Sequence, residues 1–312
     1  MSGQVAEAAV PQRAAGSLAP LALAFGVTAV SFSGILIREA DDGFATVVLW
    51  RLGLATLLLL PWFLRDLRAG RAPRSASDWG LVLASGAFLA VHFLTWTASL
   101  RYTSVASSVL LVCTSPILVA VAGRRLLGEA VPPRVWAGIG MAVAGTAVTA
   151  AGDLRVSGSA LAGDLLALAG AASITGYLLI GRGVRSRFGA AGYSAPCYAV
   201  TAVAGLVAVP ITGGALAPSG RTLLACLGLA VICTIGGHTV FNWTLAHVRA
   251  VTVSLALLGE PPVTALLAIP ILRELPPWPA VIGGVIILAG MAVALVEPQP
   301  IAPLDPATAA ET

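Results

Sequence analysis

Apolar residues in this chain neither alternate nor recur along one helical face. They come in unbroken runs of about twenty, divided by short polar stretches that carry arginine. Crossing ~30 Å of hydrocarbon at 1.5 Å per residue takes about 20 residues in a helix, so each run predicts a membrane-spanning helix. Ten such runs cover 18–37, 44–64, 77–99, 104–123, 132–151, 161–181, 191–213, 221–246, 249–272 and 276–296. A transmembrane strand would show about ten residues of strict alternation, and none of the runs does. The pattern therefore predicts an all-α, polytopic membrane protein.

Composition agrees, with 58% hydrophobic and 10% charged residues against about 25% charged in a soluble domain. The flanks 1–17 and 297–312 are rich in Ala, Pro and small polar residues and are expected to be poorly ordered. The first apolar run is long enough to be a retained span rather than a cleaved leader. Cys113, Cys197, Cys226 and Cys233 all fall inside spans with no Cys-x-x-Cys pairing, and read as small buried hydrophobes. No metal and no cofactor are expected.

Every basic residue is arginine. With both termini cytoplasmic, Arg13, Arg65, Arg68, Arg71, Arg74, Arg124, Arg125, Arg134, Arg182, Arg185, Arg187 and Arg249 fall inside, whereas only Arg38, Arg101, Arg155, Arg221 and Arg273 fall outside. The positive-inside rule favours that threading in the inner (cytoplasmic) membrane. The net charge of +4 is then a topology signal attracted to anionic lipid, and needs no nucleic-acid partner.

An offset of 145 aligns Pro116 with Pro261, Glu129 with Glu274, Gly138 with Gly283 and Gly145 with Gly290; with a shift of two, Trp96 falls on Trp243. Residues 18–151 and 152–296 thus read as two copies of a five-helix unit. Five is odd, so the second copy enters from the opposite side and the repeats are inverted. Proline-interrupted helices at matching positions of inverted repeats point to a secondary transporter with a midplane site between its halves. Pro116 and Pro261 are read as paired helix kinks.

Glu260 lies eleven residues beyond Arg249, about 16 Å of helix, and so near mid-membrane. Two readings stay open: a neutral acid hydrogen-bonded to carbonyls freed by the kink, or a carboxyl that meets substrate or carries a coupling proton. Arg51, inside the second span, either neutralises an anionic group of the substrate or pairs with Glu260 or a helix C-terminus. His92, Trp96 and Ser99 share one face of the third span, and His238 and Asn242 repeat the four-residue spacing on the eighth. Trp96, Trp243, Tyr177 and Phe241 are candidates to stack on an aromatic or zwitterionic substrate, with simple packing as the alternative. The glycines of the fifth and tenth spans suit close helix contact, and Glu129 and Glu274 suit caps or gate ion pairs.

These residues resemble the ten-helix drug/metabolite transporters built of two EamA repeats. The resemblance rests on Ser115-Pro116, Gly128-Glu129, Glu260-Pro261, Arg273-Glu274, the glycine-rich fifth and tenth spans and Arg51, and covers about residues 18–296. It implies alternating access and export of small metabolites. Within that family the chain is most similar to exporters of aromatic and other amino acids of the YddG type. It departs at Phe32-Ser33-Gly34, where many members carry Trp-Gly, so the family's contact in that span does not carry over; Ser33 is a candidate substrate contact there.

Other classes fit poorly. A P-loop pump and a retinal protein both need a lysine, and the chain has none. Neither Gly-x-Ser-Gly nor His-Glu-x-x-His occurs, which disfavours an intramembrane hydrolase. The expected partners are a small-molecule substrate and the lipid bilayer, with the chain as monomer or homodimer. Export of drugs or other metabolites is the alternative to amino acids, and a non-transporting receptor comes behind it.

Overall fold

The computed structural model describes residues 12–151, 158–273 and 275–295. Glu274, Arg155 and the expectations made for 1–11 and 297–312 lie outside the described residues. The helices are α1 (Gln12–Val30), α2 (Ser33–Arg38), α3 (Phe44–Arg68), α4 (Ala76–Ser99), α5 (Val105–Val112), α6 (Ser115–Leu126), α7 (Pro133–Ala150), α8 (Gly158–Val184), α9 (Ala190–Ile211), α10 (Gly220–Gly228), α11 (Val240–Thr244), α12 (Ala250–Leu257), α13 (Glu260–Leu272) and α14 (Trp278–Leu295). A π-helical segment, Leu229–Thr239, joins α10 to α11. The described residues contain no strand.

Grouped end to end, these helices fill the ten predicted runs, with α1 beginning at Gln12, ahead of the expected Leu18. Among the described residues, nine are long and apolar enough to cross a membrane. The remaining one, α7, has 18 residues, but Pro133, Arg134, three glycines and two threonines dilute its apolar character. Its place is secured by packing. α7 lies along α14 so closely that a Cβ on Gly145 would come within 2.7 Å of the Gly283 carbonyl oxygen. Only glycine permits that approach.

The helix contacts repeat when the two halves are exchanged. The second span packs on the seventh (α3 on α9) and the fifth on the tenth (α7 on α14). The third packs on the sixth (α4 on α8), and its mate, the eighth on the first, repeats the contact through the π segment and α1. The fourth meets the sixth as the ninth meets the first. Leu57, Trp62, Val207, Ile211, Leu224 and Val285 are exposed on the perimeter, an apolar belt that calls for lipid as solvent.

The two ends differ in charge. Arg71 with Asp66, Arg187 with Asp78 and Arg182 with Glu129 pair at one end. Arg221 pairs with Glu39 and Asp41 at the other. There Asp42 accepts the Ser219 N–H at 2.8 Å, which with the Thr222 hydroxyl holds its carboxyl below the usual carboxylate range. We refer to these as the arginine-rich and arginine-poor ends.

Candidate functional site

Three spans are broken near mid-length. The fourth breaks at Cys113–Thr114 and the ninth at Leu258–Gly259, each just ahead of a helix with proline in its first turn, Pro116 and Pro261. Proline tolerates that position because the first turn has no helical partner for the missing N–H. The first span breaks without proline at Ser31–Phe32. Side-chain hydroxyls serve carbonyls at these breaks: the Thr264 hydroxyl donates to the Ser31 carbonyl at 2.9 Å, and the Ser31 hydroxyl, which donates to the Val27 carbonyl at 2.7 Å, also lies 3.3 Å from the Glu260 carbonyl. The breaks of the first and ninth spans therefore meet, and Glu260 stands at the junction.

The Glu260 carboxylate has no hydrogen bond or ion pair among the described residues, and the residue is half-buried. It lies within electrostatic reach of Arg51, of Cys113 at the other break and of Cys233 on the π segment. Neither expected Glu260 arrangement with protein groups, carbonyl bonding or pairing with Arg51, is formed here.

Arg51 is 3% exposed. Its Nε donates to Thr234 Oγ1 at 2.9 Å, its guanidinium lies 4.8 Å from the Phe93 ring centroid, and its Nη2 has no partner. From Phe93 an aromatic row extends both ways. His92 meets Phe93 edge-on and stacks on Trp96 at 6.0 Å, while His238 sits edge-on to Phe93 and Phe241. His92 is anchored by Nδ1 to the Gly170 carbonyl on α8 at 2.9 Å. Trp96 Nε1 is buried without a partner.

The other candidates lie elsewhere. Tyr177 donates to Asn242 Oδ1 at 2.8 Å, and Asn242 Nδ2 donates to Ser194 at 2.9 Å and Tyr198 at 3.5 Å. Arg185 Nε donates to the Asn242 carbonyl at 2.7 Å. Tyr177 and Asn242 are each 1% exposed, so this network is closed and self-satisfied between α8, α9 and α11. His238 and Asn242 point into different surroundings because the π turn between them departs from helical four-residue spacing. Trp243 rests on His247, ring centroids 4.5 Å apart, away from the aromatic row. Ser99 bonds Ser108 at 2.6 Å, and Ser33 is buried beside Cys233.

The two ends of the centre differ in packing. In the ninth span, α12 is buried along most of its length, whereas α13 buries only Pro262. α12 packs on α6, but α5 turns to α7 and α8, and α13 turns to α14 and α1. At the arginine-rich end Arg182 Nε meets Glu129 Oε1 at 2.7 Å and Arg249 donates to the Ala130 carbonyl at 2.6 Å, tying α6 and the segment after it to α8 and α12. Toward the arginine-poor end Trp96, Val109, Val112, His238 and Glu260 remain half-exposed. A separate cavity of about 350 Å³ lies between α1, α12 and α14; its lining is largely apolar, with Arg249, Thr28 and Thr252 as its polar members, and includes neither Arg51 nor Glu260.

An internally repeated, multi-pass helical bundle with broken helices around a polar centre fits a membrane transporter. The chain belongs to the EamA-like transporter family, whose model matches it twice, over residues 17–151 and 161–296. An uncharacterized transporter of Archaeoglobus fulgidus is 27% identical over 281 residues, covering 87% of this chain and 94% of that protein. A protein known by its crystal structure is 19% identical and superposes with a TM-score of 0.77, covering 90% of this chain and 97% of the other. That likeness establishes the fold.

Proposed function

We propose that this transporter exports amino acids, aromatic ones among them, by alternating access in the inner membrane, as exporters of the YddG type do. The arginine-rich end, with both termini, faces the cytoplasm, in keeping with the positive-inside rule. The repeats 18–151 and 152–296 rock against each other. The observation that carries this reading is the asymmetry of the centre: at the arginine-rich end α6 packs on the buried α12 and the Arg182–Glu129 pair ties it to α8, whereas toward the other end charged and aromatic side chains stay half-exposed. Such a lining suits a small amphipathic molecule better than an ion or a lipid.

In alternating access the Arg182–Glu129 pair and the Arg249 contact break as α6 parts from α12, while α5 and α13 close over the opposite mouth. The reading is tested by uptake of radiolabelled Phe, Trp, Met and Thr into proteoliposomes, with and without an imposed pH gradient. Saturable uptake that follows the protein supports it. Failure of all four to enter, with drugs or other metabolites moved instead, would reject the amino-acid assignment and leave a transporter of another substrate.

A further inference from the structure

Resting on that reading, we propose that Arg51 and Glu260 form a two-pole receptor for a zwitterion, Arg51 Nη2 and Trp96 Nε1 taking the α-carboxylate and Glu260 the ammonium group. Among the buried side-chain nitrogens and oxygens of the described residues, Arg51 Nη2 and Trp96 Nε1 are the two without a hydrogen-bond partner. Both are donors, and both belong to one aromatic row, Arg51 lying on Phe93 and Trp96 on His92. Native proteins rarely leave such donors unmet. Two orphan donors along one aromatic row call for a ligand group that only accepts, and a carboxylate offers four lone-pair sites.

Thr234 fixes Nε and Phe93 supports the guanidinium face, so Arg51 is held in place with Nη2 left over for the ligand. Glu260 supplies the opposite pole. Its carboxylate is partnerless and half-exposed at the meeting of two helix breaks, coupled to Arg51 by charge without an ion pair between them. Two opposite charges held apart in a medium of low dielectric favour a dipolar guest that bridges them. An anion would meet Glu260 as a like charge, and a cation would meet Arg51. The rings of Trp96, His92, Phe93 and His238 then flank the ligand's side chain.

The test is competition binding to the purified full-length protein in nanodiscs at neutral pH with phenylalanine, phenethylamine and 3-phenylpropionate. The expected result is that each single-ended analogue competes at least tenfold more weakly than phenylalanine. Glu260→Gln should then remove the preference over 3-phenylpropionate, and Arg51→Gln the preference over phenethylamine. If Arg51→Gln does not fold, Trp96→Phe, which removes the indole N–H together with part of the ring, should weaken phenylalanine and 3-phenylpropionate more than phenethylamine. Equal competition by an analogue in the parent protein, or preferences unchanged in the variants while phenylalanine is still transported, overturns the two-pole receptor and leaves amino-acid export standing. Absence of binding by any amino acid overturns both.

Discussion

Removing Glu129 should unlock the arginine-rich end of the bundle. Arg182 and Glu129 meet at 2.7 Å with their side chains 4% and 10% exposed, so neither charge has much water to fall back on. In Glu129→Gln, the Arg182 guanidinium keeps the Leu245 carbonyl at 3.5 Å and loses its counter-charge. Breaking a buried pair from one side costs ~3–5 kcal/mol, and the position of this one at the membrane surface favours about 3 kcal/mol. At 1.4 kcal/mol per factor of ten, the population opened at this end rises roughly 100-fold. A cysteine at Ala250, which is fully buried at the start of α12, reports it in a background lacking the native cysteines. A hydrophilic maleimide in detergent should label it about a hundred times faster in Glu129→Gln, and near the parent rate in the double variant Glu129→Gln/Arg182→Met. Parent-like labelling in the single variant, or no recovery in the double one, would refute the latch.

Gly138→Ala should destabilise by ~1–3 kcal/mol through overpacking, because its Cβ would stand 2.6 Å from the Ala294 Cβ. Thermal melting should show that loss beside an unchanged Gly140→Ala control, since nothing lies within 4 Å there. Thr234→Val leaves the buried Arg51 Nε without its acceptor and should cost ~1–3 kcal/mol, measured the same way, while Thr252→Val, on the separate apolar cavity, should not. Burial, with Arg185 and Arg182 nearby, pushes the His247 imidazole below the usual histidine range. The unfolded chain therefore takes up its proton first. Stability from this group is full above about pH 6.5 and is lost as pH falls below it, and His247→Gln should flatten that part of a melting profile taken between pH 8 and pH 5.

The spans and their repeat were legible because hydrocarbon imposes a length and the paired Pro, Gly and Glu positions share one offset. The break at Ser31–Phe32 was not, since neither residue interrupts a helix by its own chemistry. Thr264 and Glu260, far along the chain, make it tenable. The π segment escaped for a related reason: it reads as an ordinary apolar run, and the bonds of the Thr234 and Thr239 side-chain hydroxyls to carbonyls five residues back become visible only in three dimensions. Arg51 and Glu260 stood out as charges in greasy runs, whereas Phe93, which carries the Arg51 guanidinium, looked like any core aromatic. Tyr177 and Asn242 had the right chemistry for a substrate contact, but their partners are each other.

Counterflow tests the central account most directly. Proteoliposomes loaded with unlabelled phenylalanine and diluted into a trace of the labelled amino acid should show a transient overshoot of label inside, abolished in Arg51→Gln shown to be folded. An overshoot of equal height in that variant, or label that equilibrates without overshoot in the parent protein, would contradict a carrier that presents one central, charge-defined site to each side of the membrane in turn.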